Sequence, residues 1–313
     1  MQLKSSILQS VMHAANLIRE GHVVAFPTET VFGLGADATS FEACEKIFEI
    51  KKRPKSNPLI VHVRNMQNAM EFGVFENDAK KIAEMWPAPI TLITYKTKDC
   101  KIASNVTSGP AIAIRCPNHS IAQELLNISS VPIAAPSANY SSRITATTTA
   151  HIIKDFSGKV PVLNGIVSIG IESTIIDTRD KIRIIRQGTI SAEQIYNSTG
   201  VKVYNYDEND IVVAPGTQPK HYSPISPIRI NADHLFEGEI GLGFAKNNFT
   251  GKAIMNLSKA GDLNECAHNL YAMLRIADEN AQKIGCGIAV ARIPNHGIGI
   301  AINDRLTRAS YKS

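Results

Sequence analysis

Lys51 and Arg53 stand one residue apart in the run Lys-Lys-Arg-Pro-Lys-Ser-Asn57-Pro58, at the end of a helical pattern. The two prolines fix the backbone there, and rigidly presented cations suit a phosphate better than a mobile surface run does. The plainer account is that they complement the helix dipole. Far downstream, Ala135-Pro-Ser137-Ala-Asn139 follows an apolar strand pattern. Residues two apart on an extended chain point the same way, so Ser137 and Asn139 are expected to face one ligand, a simple Asx or Ser turn being the alternative. Arg115 closes an alternating segment and offers a planar fork for a carboxylate; Arg186, before Gln187-Gly188, has a similar position, and a solvated arginine is the alternative for both. The stretch Pro27-Thr-Glu29-Thr30-Val-Phe-Gly-Leu-Gly35 reads as a turn at a strand end that presents hydroxyls and a carboxylate. There the alternative is a capped turn with Glu29 solvated. His62 falls on a strand face and has no partners at metal-ligand spacing. Together these residues describe a groove rich in hydroxyls, amides and cations, with few bases and no covalent nucleophile.

The common nucleotide and hydrolase signatures are missing. No G-x-x-x-x-G-K-[ST] occurs, Gly241-Leu-Gly243-Phe-Ala-Lys246 lacks the third glycine of a dinucleotide fingerprint, and neither G-x-S-x-G nor H-E-x-x-H is present. The net charge of +5 fits anionic ligands and falls short of a dedicated nucleic-acid binder. Aromatic residues at 6% offer few stacking platforms for RNA. Five scattered cysteines form no C-x-x-C pair, so reduced thiols are expected, with neither a zinc site nor a disulfide framework. The first residues lack a leader pattern and no apolar run reaches the ~20 residues of a membrane span, so a soluble, cytoplasmic protein is expected.

The elements that must position these groups alternate between helix and strand. Ile7, Leu8, Val11, Ala15 and Ile18 recur at helical spacing before the strand 23–26, and Ser40 is placed to cap a helix through Phe48. In 59–63 the pleat sets His62 opposite Leu59, Val61 and Val63; in 111–115 it sets Ala111, Ala113 and Arg115 opposite Ile112 and Ile114. Further strands are expected at 91–95, 132–135, 174–176 and 182–185, and Ser191 with Gln194 makes a capping box. Residues 204–227, rich in Asn, Asp, Pro, Gly and Ser, read as a linker. Beyond it, strands at 228–230, 239–243 and 287–290 surround a long helix that Asp262 and Glu265 open with a capping box. The expectation is an α/β domain at 1–203, a linker at 204–227 and a small α/β domain at 228–313.

These segments, in this order, resemble the YrdC-like family, and the two-part layout resembles its longer form, the two-domain threonylcarbamoyl-AMP synthases. The family's K-x-R followed by S-x-N matches Lys51, Arg53, Ser137 and Asn139, and its P-T-E-T turn matches Pro27 to Gly35 with Phe32 where Tyr is common. The fold implied is a twisted, mixed open sheet with flanking helices plus a smaller Rossmann-like α/β domain. The activity implied is synthesis of L-threonylcarbamoyladenylate from ATP, L-threonine and bicarbonate or CO2, for threonylcarbamoyladenosine formation in ANN-decoding tRNAs. Carried over by position, Thr30, His62, Arg115, Ala135 and Ser173 surround threonine. Arg53, Asn57, Ala111, Ser137, Thr145 and Arg186 hold ATP, with Ala111 giving only a backbone contact. His221 or Tyr222 of the linker closes over the nucleotide. Lys51, Arg53, Ser137 and Asn139 form the catalytic set, Mg2+ comes with ATP, and no protein-ligated metal is expected. The resemblance also implies a tRNA threonylcarbamoyl transferase complex as recipient of the product, with weak tRNA affinity and no membrane. An RNA-binding or regulatory module of the same fold, without adenylation, is the competing reading.

Overall fold

The computed structural model describes residues 5–107, 109–205, 221–246 and 254–311. Among them the chain builds two sheets. The larger has nine strands in the order β1 (Val24–Pro27), β2 (Phe32–Asp37), β6 (Ile133–Ala134), β3 (Ile60–His62), β5 (Ala111–Arg115), β4 (Ile90–Tyr95), β7 (Thr174–Asp177), β8 (Arg183–Arg186) and β9 (Tyr204–Asn205). It is mixed: β3–β5, β4–β7 and β8–β9 pair in parallel and the other neighbours antiparallel. The smaller sheet is parallel, in the order β10 (Ile228–Ala232), β13 (Ile288–Ala291), β11 (Ile240–Gly243) and β12 (Ile254–Asn256).

Among the described residues seven helices accompany the large sheet: α1 (Ser5–Arg19), α2 (Phe41–Lys51), α3 (Met66–Phe72), α4 (Asn77–Ala83), α5 (Ser120–Ser129), α6 (Thr149–Asp155) and α7 (Ala192–Thr199). The small sheet carries α8 (Leu263–Ile284) and α9 (Ile298–Ala309). Ser40 accepts from Ala43 N to start α2, and Ser191 and Gln194 complete their reciprocal box on α7. At α8 only half of the expected box forms. Asp262 accepts from the Asn264 and Glu265 amides, but the Glu265 carboxylate is taken by Ser258 Oγ at 2.5 Å. No helix among the described residues is long and apolar enough to cross a membrane.

The alternation in β3 and β5 sorts their side chains as expected. Leu59, Val61, Val63, Ile112 and Ile114 enter the main core beneath α2, α3 and α4, whereas Ile60 and Ala113 join a small cluster on the opposite face. That second face carries His62 and Arg115. Two local expectations fail. Residues 32–37 are strand rather than turn, because Gly33 and Gly35 let Phe26 lie flat against β2; a Cβ at Gly35 would stand 2.6 Å from the Phe26 ring. The strand β12 was not foreseen at all. The expected linker falls mostly on 206–220, outside the described residues, and its first two residues pair with β8 as β9. Its end, 221–226, is tied to both parts: Ser223 N donates to Ser142 O, and the Ile225 and Ser226 amides donate to Asp278 on α8. A shared apolar cluster joins Val31, Ile144, Ile171 and Tyr222 to Leu270, Tyr271 and Leu274 of α8.

Candidate active site

A small polar cavity of about 50 Å3 lies on the face of the large sheet that bears His62 and Arg115. His62 enters from β3 and Arg115 from the end of β5; Ala135 and Ser137 follow β6, Ser173 precedes β7, and Arg186 ends β8. Arg53 comes from the turn after α2, and His221 and Tyr222 come from the end of the connecting segment. Topology therefore gathers nine of the expected residues around one space.

One end is built around a buried ion pair. Arg115 Nη2 lies 2.7 Å from Glu29 Oε1, with both side chains about 5% exposed. Glu29 is thus not the solvated carboxylate of the alternative reading. Thr28 shapes the turn that presents it: Thr28 Oγ1 donates to Val31 O at 2.6 Å and shares a hydrogen bond with Thr30 Oγ1. His62 stands beside this pair with Nδ1 at 3.2 Å from Ile60 O, a carbonyl that accepts and so assigns the ring proton to Nδ1. Burial, reinforced by the Arg115 charge, lowers its pKa to about 3, so the ring is neutral. Arg115 Nε is buried without a hydrogen-bond partner among the described residues, a cost that a bound polar group would remove.

The other end is cationic. Arg186 Nε and Nη2 donate to Ser173 O at 3.1 and 2.9 Å, and Nη2 also reaches Ser173 Oγ at 3.1 Å. Ser173 Oγ in turn lies 2.8 Å from Thr91 Oγ1. Arg53 is held by the Asn57 and Pro58 carbonyls at 3.0 and 2.9 Å. Burial, partly offset by Tyr222 and aided by Arg186, pushes its pKa down to about 9. An anion here would relieve the crowding of like charges. His221, lowered to about 3 by burial, meets the Tyr222 ring edge to face at 4.2 Å. His221 Nδ1 and Tyr222 OH lack partners among the described residues.

Six expected residues do not line the cavity. Lys51 Nζ is buried and donates to the carbonyls of Ser137 and Asn139. Asn139 does not face the ligand space with Ser137, because its amide folds back to Ser137 O and the two-residue period of an extended chain is lost. Its Nδ2 instead donates to Tyr140 O and Arg143 O. Thr30 is spent on Thr28, and Thr145 donates to Glu172 Oε1 at 2.7 Å. Asn57 is buried, with its side-chain amide lacking a partner among the described residues, and Ala111 sits at the far end of β5 from Arg115. Seven further residues line the wall, among them Thr28, Gly33 and Glu172. Thr28 and Gly33 lie inside the Pro27–Gly35 motif, whereas Glu172 has no local signal beyond its place before Ser173. No cluster of three or more His, Cys, Asp or Glu that could hold a metal occurs among the described residues.

Residues 16–188 match the Sua5/YciO/YrdC family model, described as Telomere recombination, and residues 190–310 match that of the threonylcarbamoyl-AMP synthase C-terminal domain. The threonylcarbamoyl-AMP synthase of Bacillus subtilis is 35% identical, over 96% of this chain and 92% of its own. That of Pyrococcus abyssi is 34% identical over 95% and 93%. The crystal structure of P. abyssi Sua5 complexed with L-threonine superposes with a TM-score of 0.86 at 30% identity, over 99% of this chain and 96% of that one. The chain belongs to the Sua5/YciO/YrdC family, in the two-part form that carries the threonylcarbamoyl-AMP synthase C-terminal domain.

Proposed function

We propose that the chain makes L-threonylcarbamoyladenylate from L-threonine, bicarbonate or CO2 and ATP, with release of pyrophosphate, as the first step of threonylcarbamoyladenosine formation in tRNA. The observation that carries this reading is one cavity with two unlike ends. A carboxylate-oriented guanidinium beside a neutral imidazole faces a pair of arginines. Arg115 takes the threonine carboxylate through its fork, held in line by Glu29. His62 and Ser173 meet the rest of the amino acid, with Ala135 as wall and Thr30 behind Thr28. The amine adds to carbon dioxide, loses a proton and becomes a carbamate. A carbamate oxygen then attacks the α-phosphorus, and pyrophosphate leaves.

Nucleophile and leaving group are both anionic, so the protein's work is positioning and charge stabilisation. Arg53 and Arg186 supply cations to the phosphates. Ser137 holds the nucleotide, and His221 and Tyr222 cover it. Lys51 and Asn139 set the loop that carries Ser137. Mg2+, arriving on the ATP phosphates, would screen their charge. The wall carboxylate Glu172 is already engaged by three donors and would not be free to hold that ion. The product passes to a tRNA threonylcarbamoyl transferase complex.

The test is pyrophosphate release by purified protein, with and without L-threonine and bicarbonate, and with serine or alanine in place of threonine. Release that needs both substrates and favours threonine is expected. Folded protein that binds RNA but releases no pyrophosphate would transfer the assignment to a binding module.

A further inference from the structure

Glu172 stands in the cavity wall on the large-sheet part, yet two of its three partners come from the C-terminal part. Oε1 accepts from Thr145 Oγ1 at 2.7 Å; Oε2 accepts from Tyr271 OH of α8 at 2.9 Å and from Arg305 Nε of α9 at 3.0 Å. Arg305 is 1% exposed and uses its other nitrogens too. Nη2 donates to Gln187 O at 2.8 Å, and Nη1 pairs with Asp304 at 2.6 Å. The guanidinium carbon lies 5.3 Å from the centre of the Tyr222 ring, which itself stacks on Tyr271 at 5.6 Å. Burial opposes charge on both partners, but Tyr222 and Glu172 raise Arg305, and Arg305 and Arg186 lower Glu172, so the pair stays ionised.

A buried ion pair is weak evidence for stability, since apolar residues of the same volume often serve as well. What a planar fork adds is geometry. Arg305 grips two different chain segments at once: Glu172, just before β7, and the carbonyl that follows Arg186 at the end of β8. Between those grips Arg186 meets Ser173. At the opposite end, Arg115 and His62 have their named bonds to Glu29 and Ile60, both in the large-sheet part.

We infer that Arg305 is a positioning residue for the nucleotide end of the cavity: from α9 it fixes Glu172, with it Thr145, and the β8 terminus that carries Arg186. The C-terminal part thereby acts chiefly on affinity for ATP and reaches the threonine end only through Ser173, the neighbour of Glu172. This rests on the reading of Arg186 as ATP-binding.

The test uses full-length Arg305→Lys and Tyr271→Phe. Lysine keeps the charge beside Glu172 and loses the fork that reaches Gln187. For Arg305→Lys, KM for ATP should rise roughly tenfold or more while KM for threonine stays within about twofold; Tyr271→Phe should shift in the same direction by less. If Arg305→Lys does not fold, the double variant Glu172→Gln/Arg305→Met, which removes both charges of the pair together, is measured in its place with the same split expected. Calorimetric titration of each variant with ATP alone and with threonine alone gives the same comparison without turnover. The inference thus stays testable even if wild-type protein releases no pyrophosphate, an outcome that removes the proposed function only. Equal loss for both ligands would overturn the inference, as would a lowered melting midpoint with both affinities unchanged.

Discussion

Lys51 and Arg53 look interchangeable in the sequence, two cations in one short run, and the structure gives them different work. Arg53 opens on the cavity; Lys51 does not, and its ammonium is spent on the carbonyls of Ser137 and Asn139. Burial, with Arg53 nearby, pushes the Lys51 pKa well below its ordinary value, and hydrogen bonds from the ammonium to two carbonyls are what remain to hold it. Arg53→Met leaves the Asn57 and Pro58 carbonyls without their donor and should lower the melting midpoint too, but the folded variant should still lose about 10²–10³-fold in turnover, the usual cost of one transition-state donor. Lys51→Met should lose activity together with stability. Each stranded carbonyl costs about 1–3 kcal/mol, offset in part because an ammonium no longer has to be buried. Urea unfolding and pyrophosphate release on both variants separate the two roles. A Lys51→Met protein of unchanged stability, altered only in its KM for ATP, would place Lys51 on the ligand instead.

At the scale of elements, the parts that depend on repeated local pattern were legible and the parts that depend on a close neighbour were not. Alternation alone assigned the faces of β3 and β5 and put His62 and Arg115 on one side. The same rule misled at 137–139, where the chain turns, and it missed β2, whose glycines exist to admit Phe26. Gly188 is a second such case. In the sequence it reads as an ordinary loop glycine after Arg186. In the fold a Cβ there would collide with the backbone nitrogen of Thr174 and stand 2.6 Å from the carbonyl carbon of Ser173. Its absence of side chain is what lets the end of β8 close on the start of β7, so that Arg186 reaches Ser173. Gly188→Ala must push these backbones apart, costing about 1–3 kcal/mol in the manner of an overpacked core. The expected readout is a lowered melting midpoint together with weaker ATP binding, with a smaller loss for threonine through the displaced Ser173. Unchanged ATP affinity in a destabilised Gly188→Ala protein would mean that the β7–β8 spacing does not govern the arginine.

Across the whole molecule, the division into a large and a small α/β part was legible from composition and helix punctuation, but the bonds that join them were not. Glu172 and Arg305 are separated by 133 residues, and no local period links an acid before one strand to an arginine on the last helix. Burying polar groups in the cavity and in the seam between the parts makes the protein sensitive to acid. His62 and His221 are buried and held neutral, with pKa values of about 3 against an ordinary value near 6.5. Below the unfolded value the unfolded chain binds protons that the native state refuses, so stability falls as pH drops from about 6.5 towards about 3 and is fully present above that window. Glu172, held below its ordinary value by Arg305 and Arg186 against burial, acts in the same direction: its contribution is present above about 4.5 and is lost on acidification. Each histidine can remove at most about 1.4 kcal/mol per pH unit, so the pair can cost up to about 4 kcal/mol between pH 6.5 and pH 5. Urea midpoints across that range should fall steeply for the wild-type chain and less steeply for His62→Gln, which titrates no imidazole at that site. Parallel slopes for the two proteins would show that His62 is accessible to protons in the folded state, and would undo the assignment of a neutral ring beside Arg115.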